Sequence, residues 1–372
     1  MKRLVGIAFA SLILLTGCGN PSVIAYSRGM MLQREAESEM QKNDGKVDNK
    51  IEAKFFQAIE QYNSAVHFDP KLTDAYYRRG ICRDAIKQYD AALSDFAVVT
   101  KQKPDDVYVW MRAGKAEMML QKFDEAIKDF DAADTLKPDE PWVLMKRGYC
   151  KTYVGDAKGA LADAKKCVDL KPDVETYIFL AAAERAAGDY PAMEKAYDAA
   201  LEAYPHELGI YRARAYSEFS AGRYSKAWAD FDKLWRAKFM ADDDDAPYTV
   251  LIGTLAARLD KREGDANTLL DDGVAQLKLP TEIDAGAHNA QVANDWPKPA
   301  IQWMHGDITR DKLLRAAQGD NGRETEVNTY LGIDALLKGD KKEAKREFDW
   351  VAANGRKDFV EYQFSQRMAK EL

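Results

Sequence analysis

Histidine and cysteine are scarce in this chain, with four of each among 372 residues. His67, His206, His288 and His305 lie far apart, and none has the spacing that sets a metal-ligating pair on one helix face. A glycine-rich loop of the phosphate-cradling kind is missing, and no serine stands in a nucleophile-elbow context. Neither an enzyme nor a bound metal or cofactor is therefore expected. The acidic run Asp242–Asp245 invites a calcium reading. A calcium-binding loop begun at Asp242, however, would put Pro247 where glycine is required and Gly253 where the bidentate glutamate belongs. A solvated connection between helices fits better. Basic runs are missing too, and the formal net charge is −7. Such a body offers nucleic acid little and does not read as a membrane-surface binder. Beyond the first residues, no apolar run approaches the length of a membrane span.

What is present is a period. Gly80, Gly114 and Gly148 stand 34 residues apart. With Thr73, Val107 and Pro141 as first residues of three units, position 4 reads Tyr76, Trp110 and Leu144, and position 20 reads Ala92, Ala126 and Ala160. Position 24 reads Phe96, Phe130 and Ala164, and position 32 reads Pro104, Pro138 and Pro172. Small residues at 8 and 20 let two antiparallel helices approach, large ones at 4 and 24 fill the space between units, and proline ends the second helix. This is the tetratricopeptide (TPR) pattern.

The pattern continues with decay. Ile178, Ala182, Ala200 and Pro205 mark a unit one residue short, and Tyr211, Ala215, Gly222, Tyr224, Ala227 and Phe231 restore the spacing. Upstream, Phe55, Ala58, Tyr62, Ala65 and Pro70 match a second helix, whose partner is expected over residues 24–41 with Gly29 at the glycine position, behind a polar insert near residues 43–50. A last unit, 325–357, carries Leu331, Gly332, Gly339, Ala344, Phe348 and Val351. The expected fold is all-α, an α/α superhelix of about six to seven helix pairs with C-terminal capping helices. The array spans 25–279, degenerate over 247–279, followed by a loop at 280–297 and C-terminal helices over 298–372. In that last segment Trp296-Pro297-Lys298-Pro299 leads into a short helix ending at Gly306-Asp307. Thr309 then caps a helix over 310–318 that brings Leu313 and Leu314 to one side.

The chain opens Met-Lys-Arg, continues apolar over Leu4–Leu15, and reaches Leu15-Thr16-Gly17-Cys18. A basic start and a short apolar stretch make a secretory signal, residues 1–17. Its ending resembles the lipobox of bacterial lipoproteins, which makes Cys18 the lipidation site, palmitate among its acyl chains, and residues 18–24 a tether. Several acyl chains together hold a protein durably. Gly19, in place of aspartate, favours the periplasmic face of the outer membrane. Cys82 and Cys150 occupy position 10 and Cys167 position 27, where small buried residues pack; a Cys150–Cys167 bridge is the other reading.

Trp296-Pro297, the helix to Gly306, Asp307-Ile308-Thr309, Tyr330-Leu331-Gly332, Leu336, Gly339-Asp340 and the ending Asp358-Phe359-Val360-Glu361-Tyr362 resemble the outer-membrane TPR lipoproteins of the NlpI type. That resemblance implies an adaptor for periplasmic proteins, including a carboxy-terminal-processing protease and cell-wall hydrolases, with last helices that pack back on the array and contribute to a homodimer. The alternative is an assembly factor for an outer-membrane pore, secretin or pilus. This chain departs from the family in its extra repeats, its insert near 43–50 and its long loop.

In a TPR stack, first-helix positions 2, 5, 9 and 12 line the concave face, and positions 5, 9 and 12 supply the candidates. The candidate partner-binding groove is therefore Tyr77, Met111, Lys115, Met118, Met145, Tyr149, Phe179, Arg212, Tyr216 and Phe219. Lysine at 5 with asparagine at 9, the clamp for chaperone C-termini, does not occur. Methionine and aromatic residues suit adaptable packing against an apolar peptide. Either a partner or the chain's own C-terminal helices fill this groove.

Overall fold

The computed structural model describes residues 19–237, 245–277, 279 and 296–372. The expected leader, Cys18, Asp242–Asp244 and residues 280–295 of the expected loop lie outside the described residues. Among the described residues there are nineteen helices and no strand. They fall into two compact units, Met1–Pro172 and Asp173–Leu372.

The first unit is four helix pairs: α1 (Pro21–Lys42) with α2 (Asn49–Phe68), α3 (Thr73–Ala85) with α4 (Tyr89–Gln102), α5 (Val107–Met119) with α6 (Phe123–Leu136), and α7 (Pro141–Tyr153) with α8 (Ala157–Leu170). Helix α1 starts at Pro21, so residues 21–24, expected in the tether, form its first turn. Asn20 accepts from the Ser22 backbone N–H at 3.0 Å, and proline at the first helical position forfeits no hydrogen bond.

Three of the four pairs share one contact, whereas the fourth has Ala164 and no aromatic at position 24. A Cβ added at Gly80 would stand 2.6 Å from Phe96 Cε1, and one at Gly29 would stand 2.7 Å from Tyr62. The aromatic at position 24 thus lies over the glycine of its own pair, whereas the spacing suggested a filler between units. The turn within each pair needs a left-handed residue at position 15, and Lys87, Gln121 and Gly155 supply it with φ of 61°, 59° and 86°.

A second repeating contact is electrostatic. Arg79 and Arg83 converge on the buried Asp95 at 2.6 and 2.7 Å, and two units later Arg147 and Lys151 converge on Asp163 at 2.6 and 2.9 Å. These are positions 7, 11 and 23. In the intervening pair those positions hold Ala113, Glu117 and Asp129, so an acid meets an acid. Burial and then the nearby Asp129 push the Glu117 carboxyl up to about 7, and burial pushes Asp129 up to about 6. Glu117 Oε2 is buried with no hydrogen-bond partner.

The second unit begins with the pairs α9 (Val174–Ala186) and α10 (Tyr190–Ala203), α11 (Leu208–Ser220) and α12 (Tyr224–Arg236), and α13 (Ala246–Leu259) and α14 (Glu263–Gln276). Arg214 and Asp230 repeat the ion pair at 2.7 Å. Helix α13 is apolar on nearly every side, so it is the buried centre of this unit. Helix α15 (Lys298–His305) packs on α13 and α14 and ends at Gly306, whose φ of 97° makes the left-handed cap. In α16 (Arg310–Ala317) Leu313 is buried while Leu314 is 39% exposed. Adjacent helical residues diverge by roughly 100°, so the expected shared side is corrected. Helices α17 (Asn321–Leu337) and α18 (Lys341–Asn354) form the last pair, with Gly332 against Phe348. Helix α19 (Val360–Glu371) packs on α11, α17 and α18.

Cys82, Cys150 and Cys167 are buried thiols, and Cys167 Sγ donates to the Pro141 carbonyl at 3.4 Å, so no bridge joins Cys150 to Cys167. Among the described residues no helix is long and apolar enough to cross a membrane.

Candidate partner-binding faces

In the first unit, helices α3, α5 and α7 carry six of the ten groove candidates. Position 5 supplies Tyr77, Met111 and Met145; position 9 supplies Lys115 and Tyr149; position 12 supplies Met118. Neighbouring first helices are tied across this face. Arg112 Nε donates to the Tyr77 hydroxyl at 3.2 Å, and Lys115 Nζ donates to Asp84 Oδ2 at 2.9 Å. Lys115 is thereby neutralised, and the face is less basic than its sequence suggests.

The apolar candidates divide. Met145 is 5% exposed, so it belongs to the core and not to an open groove. Met111 and Met118 are half-buried against the cluster of Phe123, Phe130, Val143 and Cys150. Tyr149 is half-buried with the Lys146 ammonium 5.9 Å from its ring centre. What a partner could touch is therefore a row of Tyr77, Met111, Met118 and Tyr149, each with one side in the core and one in water. The most exposed large apolar side chains of this unit, Tyr108, Phe68 and Met31, are none of the candidates.

In the second unit the face is closed. Phe179 and Phe219 are both fully buried, which corrects their assignment to an open groove. The ring of Phe219 stacks on Phe364 of α19, with centroids 4.9 Å apart and an interplanar angle of 17°. Arg367, one turn further along α19, donates to the Ser220 carbonyl at 3.1 Å and to the Tyr224 hydroxyl at 2.9 Å. Helix α19 thus occupies the surface of α11 where a partner was placed. Arg212 is ion-paired with Asp245. Tyr216 packs edge-on against Phe231 at 5.3 Å and also lines a cavity with Tyr248, Phe359 and two buried glutamates. The periodicity reached Tyr216, but its partners across the cavity, Tyr248, Glu326, Phe359 and Glu361, come from helices later in the chain.

No group of three or more His, Cys, Asp or Glu is placed to hold a metal among the described residues.

Residues 71–141 match the tetratricopeptide repeat family model. A curated relative, serine/threonine-protein phosphatase T of Aspergillus oryzae, is 33% identical over 86 residues, 23% of this chain and 18% of the phosphatase. This chain therefore spans under a fifth of that enzyme. The crystal structure of a tetratricopeptide repeat protein from Parabacteroides merdae superposes with a TM-score of 0.53 at 15% identity, covering 68% of this chain and 93% of the other. YrrB, described as a TPR protein with an unusual peptide-binding site, aligns with a TM-score of 0.41 at 14% identity over 48% of this chain and 97% of its own. The fold is an all-α tetratricopeptide-repeat solenoid, and residues 71–141 carry the repeat of that family.

Proposed function

We propose that this chain is a lipid-anchored periplasmic scaffold, similar to the NlpI-type lipoproteins, whose first unit holds an extended segment of a partner protein. The observation that carries the scaffold reading is the unbroken repeat from Thr73 to Pro172. Its first helices set Met111, Met118 and Tyr149 half-buried in a row. Flexible, polarisable methionine and amphipathic tyrosine adapt to different apolar segments, and a few such anchors carry most of an interface. Leu15-Thr16-Gly17-Cys18 supports the anchor, and Gly19 supports the outer membrane. The resemblance of residues 296–372 to NlpI-type lipoproteins supports a processing protease and cell-wall hydrolases as partners, and a homodimer built on the last helices.

A photo-crosslinking residue at position 118 tests this in the membrane-bound full chain. The expected result is an adduct with a periplasmic protease or hydrolase, and Cys18→Ala is expected to move the chain into the soluble fraction. Unchanged sedimentation of Cys18→Ala would remove the lipoprotein reading. Adducts with β-barrel or secretin subunits alone would replace the adaptor by an assembly factor.

A further inference from the structure

Within the second unit, a cavity of about 420 Å³ opens between α11, α13, α17 and α19. Its walls are the rings of Tyr216, Tyr248 and Phe359 with Val360, and two carboxyls, Glu326 and Glu361, face into it. Both glutamates are almost completely buried, at 3% and 4% exposed.

Their hydrogen bonds do not balance two ionised carboxylates. Glu326 Oε1 accepts from the Tyr248 hydroxyl at 3.1 Å, and Glu326 Oε2 accepts from Trp296 Nε1 at 2.9 Å. The Tyr330 hydroxyl lies 3.0 Å from Glu326 Oε2 and 2.9 Å from Glu361 Oε1. A phenol has one proton to donate, so one of those two contacts lacks a hydrogen when both acids are ionised. Glu361 is also hydrogen-bonded by backbone N–H, but no cationic side chain pairs with it among the described residues, and it lines the cavity. Arg212 reaches this region from α11, but it is ion-paired with Asp245 at the rim. Burial, and then the neighbouring Glu361, push Glu326 up to about 8, and burial raises Glu361 as well. The pair, short of one donated hydrogen, therefore keeps a proton near neutrality, and a cation entering the cavity would take that proton's place.

We propose that this cavity binds a cationic side chain, a lysine ammonium or an arginine guanidinium, presented by a partner polypeptide. The chemistry matches on both counts. Aromatic faces hold an organic cation and its aliphatic stem, and two buried carboxyls with no paired cation supply the counter-charge. A neutral apolar side chain would seal those carboxyls from water without a counter-charge, which is costly. The proposal concerns the second unit alone and does not rest on the first-unit face.

The test is fluorescence anisotropy of the full chain with octapeptides, N-acetylated and C-amidated so that neither terminus carries charge. They share an alanine and phenylalanine background and carry one lysine, arginine, norleucine or glutamate. The lysine or arginine peptide is expected to bind about tenfold more tightly than the norleucine peptide. The advantage should grow between pH 6 and pH 9 as the carboxyls lose their shared proton. It should collapse in Glu361→Gln, while the exposed Tyr108→Ala leaves it unchanged. The pH series on the native chain needs no variant, so a misfolded Glu361→Gln would not blunt the test. No binding by any peptide, equal binding of lysine and norleucine peptides, or a preference indifferent to both pH and Glu361→Gln would each overturn the proposal.

Discussion

The two units use the same repeat to opposite ends. In the first, the faces of α3, α5 and α7 keep Met118 and Tyr149 half in water. In the second, the corresponding surface of α11 is covered by α19, and Phe219 has exchanged solvent for the ring of Phe364. A TPR face is thus a general-purpose apolar seat, and the chain fills one of its own. The difference arises from the helices that close each unit. The second unit ends in helices that return to the array, and Phe364, Arg367 and Met368 equip the last of them to stay there.

The largest expected effect breaks the closed seat. Phe364→Ala removes a fully buried ring that stacks on Phe219 and meets Phe348 edge-on at 5.8 Å. It should cost about 3–5 kcal/mol in chemical denaturation. A loss below about 1 kcal/mol, the scale of an ordinary surface change, would mean that α19 merely rests on the array.

A smaller effect sharpens the contrast among repeats. Asp95 and Asp163 each receive two cations, whereas Asp129 faces Glu117. Glu117→Lys puts a cation at position 11, as Arg83 and Lys151 do, and should stabilise the chain at pH 8 by about 1–2 kcal/mol. The sign of the pH dependence comes from the raised pKa values. Carboxyls that hold their protons more tightly when folded contribute stability below the unfolded carboxylate pKa, and that contribution is lost as pH rises through about 6 and about 7. Melting curves between pH 4 and pH 8 should show this decline in the native chain and a weaker one in Glu117→Lys. An equal decline in both would exonerate the Glu117–Asp129 pair.

The smallest effect lies in the turns. The left-handed turn residue is glycine at Gly155, Gly222 and Gly339, with φ of 86°, 79° and 81°, but Lys87, Gln121 and Lys261 elsewhere. Gly339→Ala meets no neighbouring atom within 4 Å, so its cost is backbone strain alone, about 1 kcal/mol. Gln121→Gly should instead leave the melting midpoint nearly unmoved, because relief of strain offsets the added freedom of the unfolded chain.

Much of the fold was legible because the TPR signature is a set of independent positions at fixed spacing. Spacing picks out Gly80 and Phe96, and Gly332 and Phe348, but it set the aromatic between units and not over the glycine of its own pair. The ion pairs at positions 7, 11 and 23 were equally periodic but went unread, since arginine and aspartate in a helix look like ordinary solvated charge. The candidate face was legible only as a set of positions. Whether Met145 or Phe219 meets water depends on neighbours from other helices, and for Phe219 that neighbour lies 145 residues later in the chain. The acidic cavity was hidden for the same reason. Tyr216, Tyr248, Glu326 and Glu361 share no period and meet only when four helices have packed.

The central claim, that the first unit's face is proposed to take a partner while the Phe219 surface of the second unit is filled by the chain itself, is tested most directly by truncating both in parallel. Partner capture and thermal unfolding would be measured for Met118→Ala/Tyr149→Ala and for Phe219→Ala. The first variant should lose capture by about tenfold or more with helix content retained, and the second should lose mainly stability, about 3–5 kcal/mol. Undiminished capture by the first variant, or lost capture with unchanged stability in the second, would contradict the account.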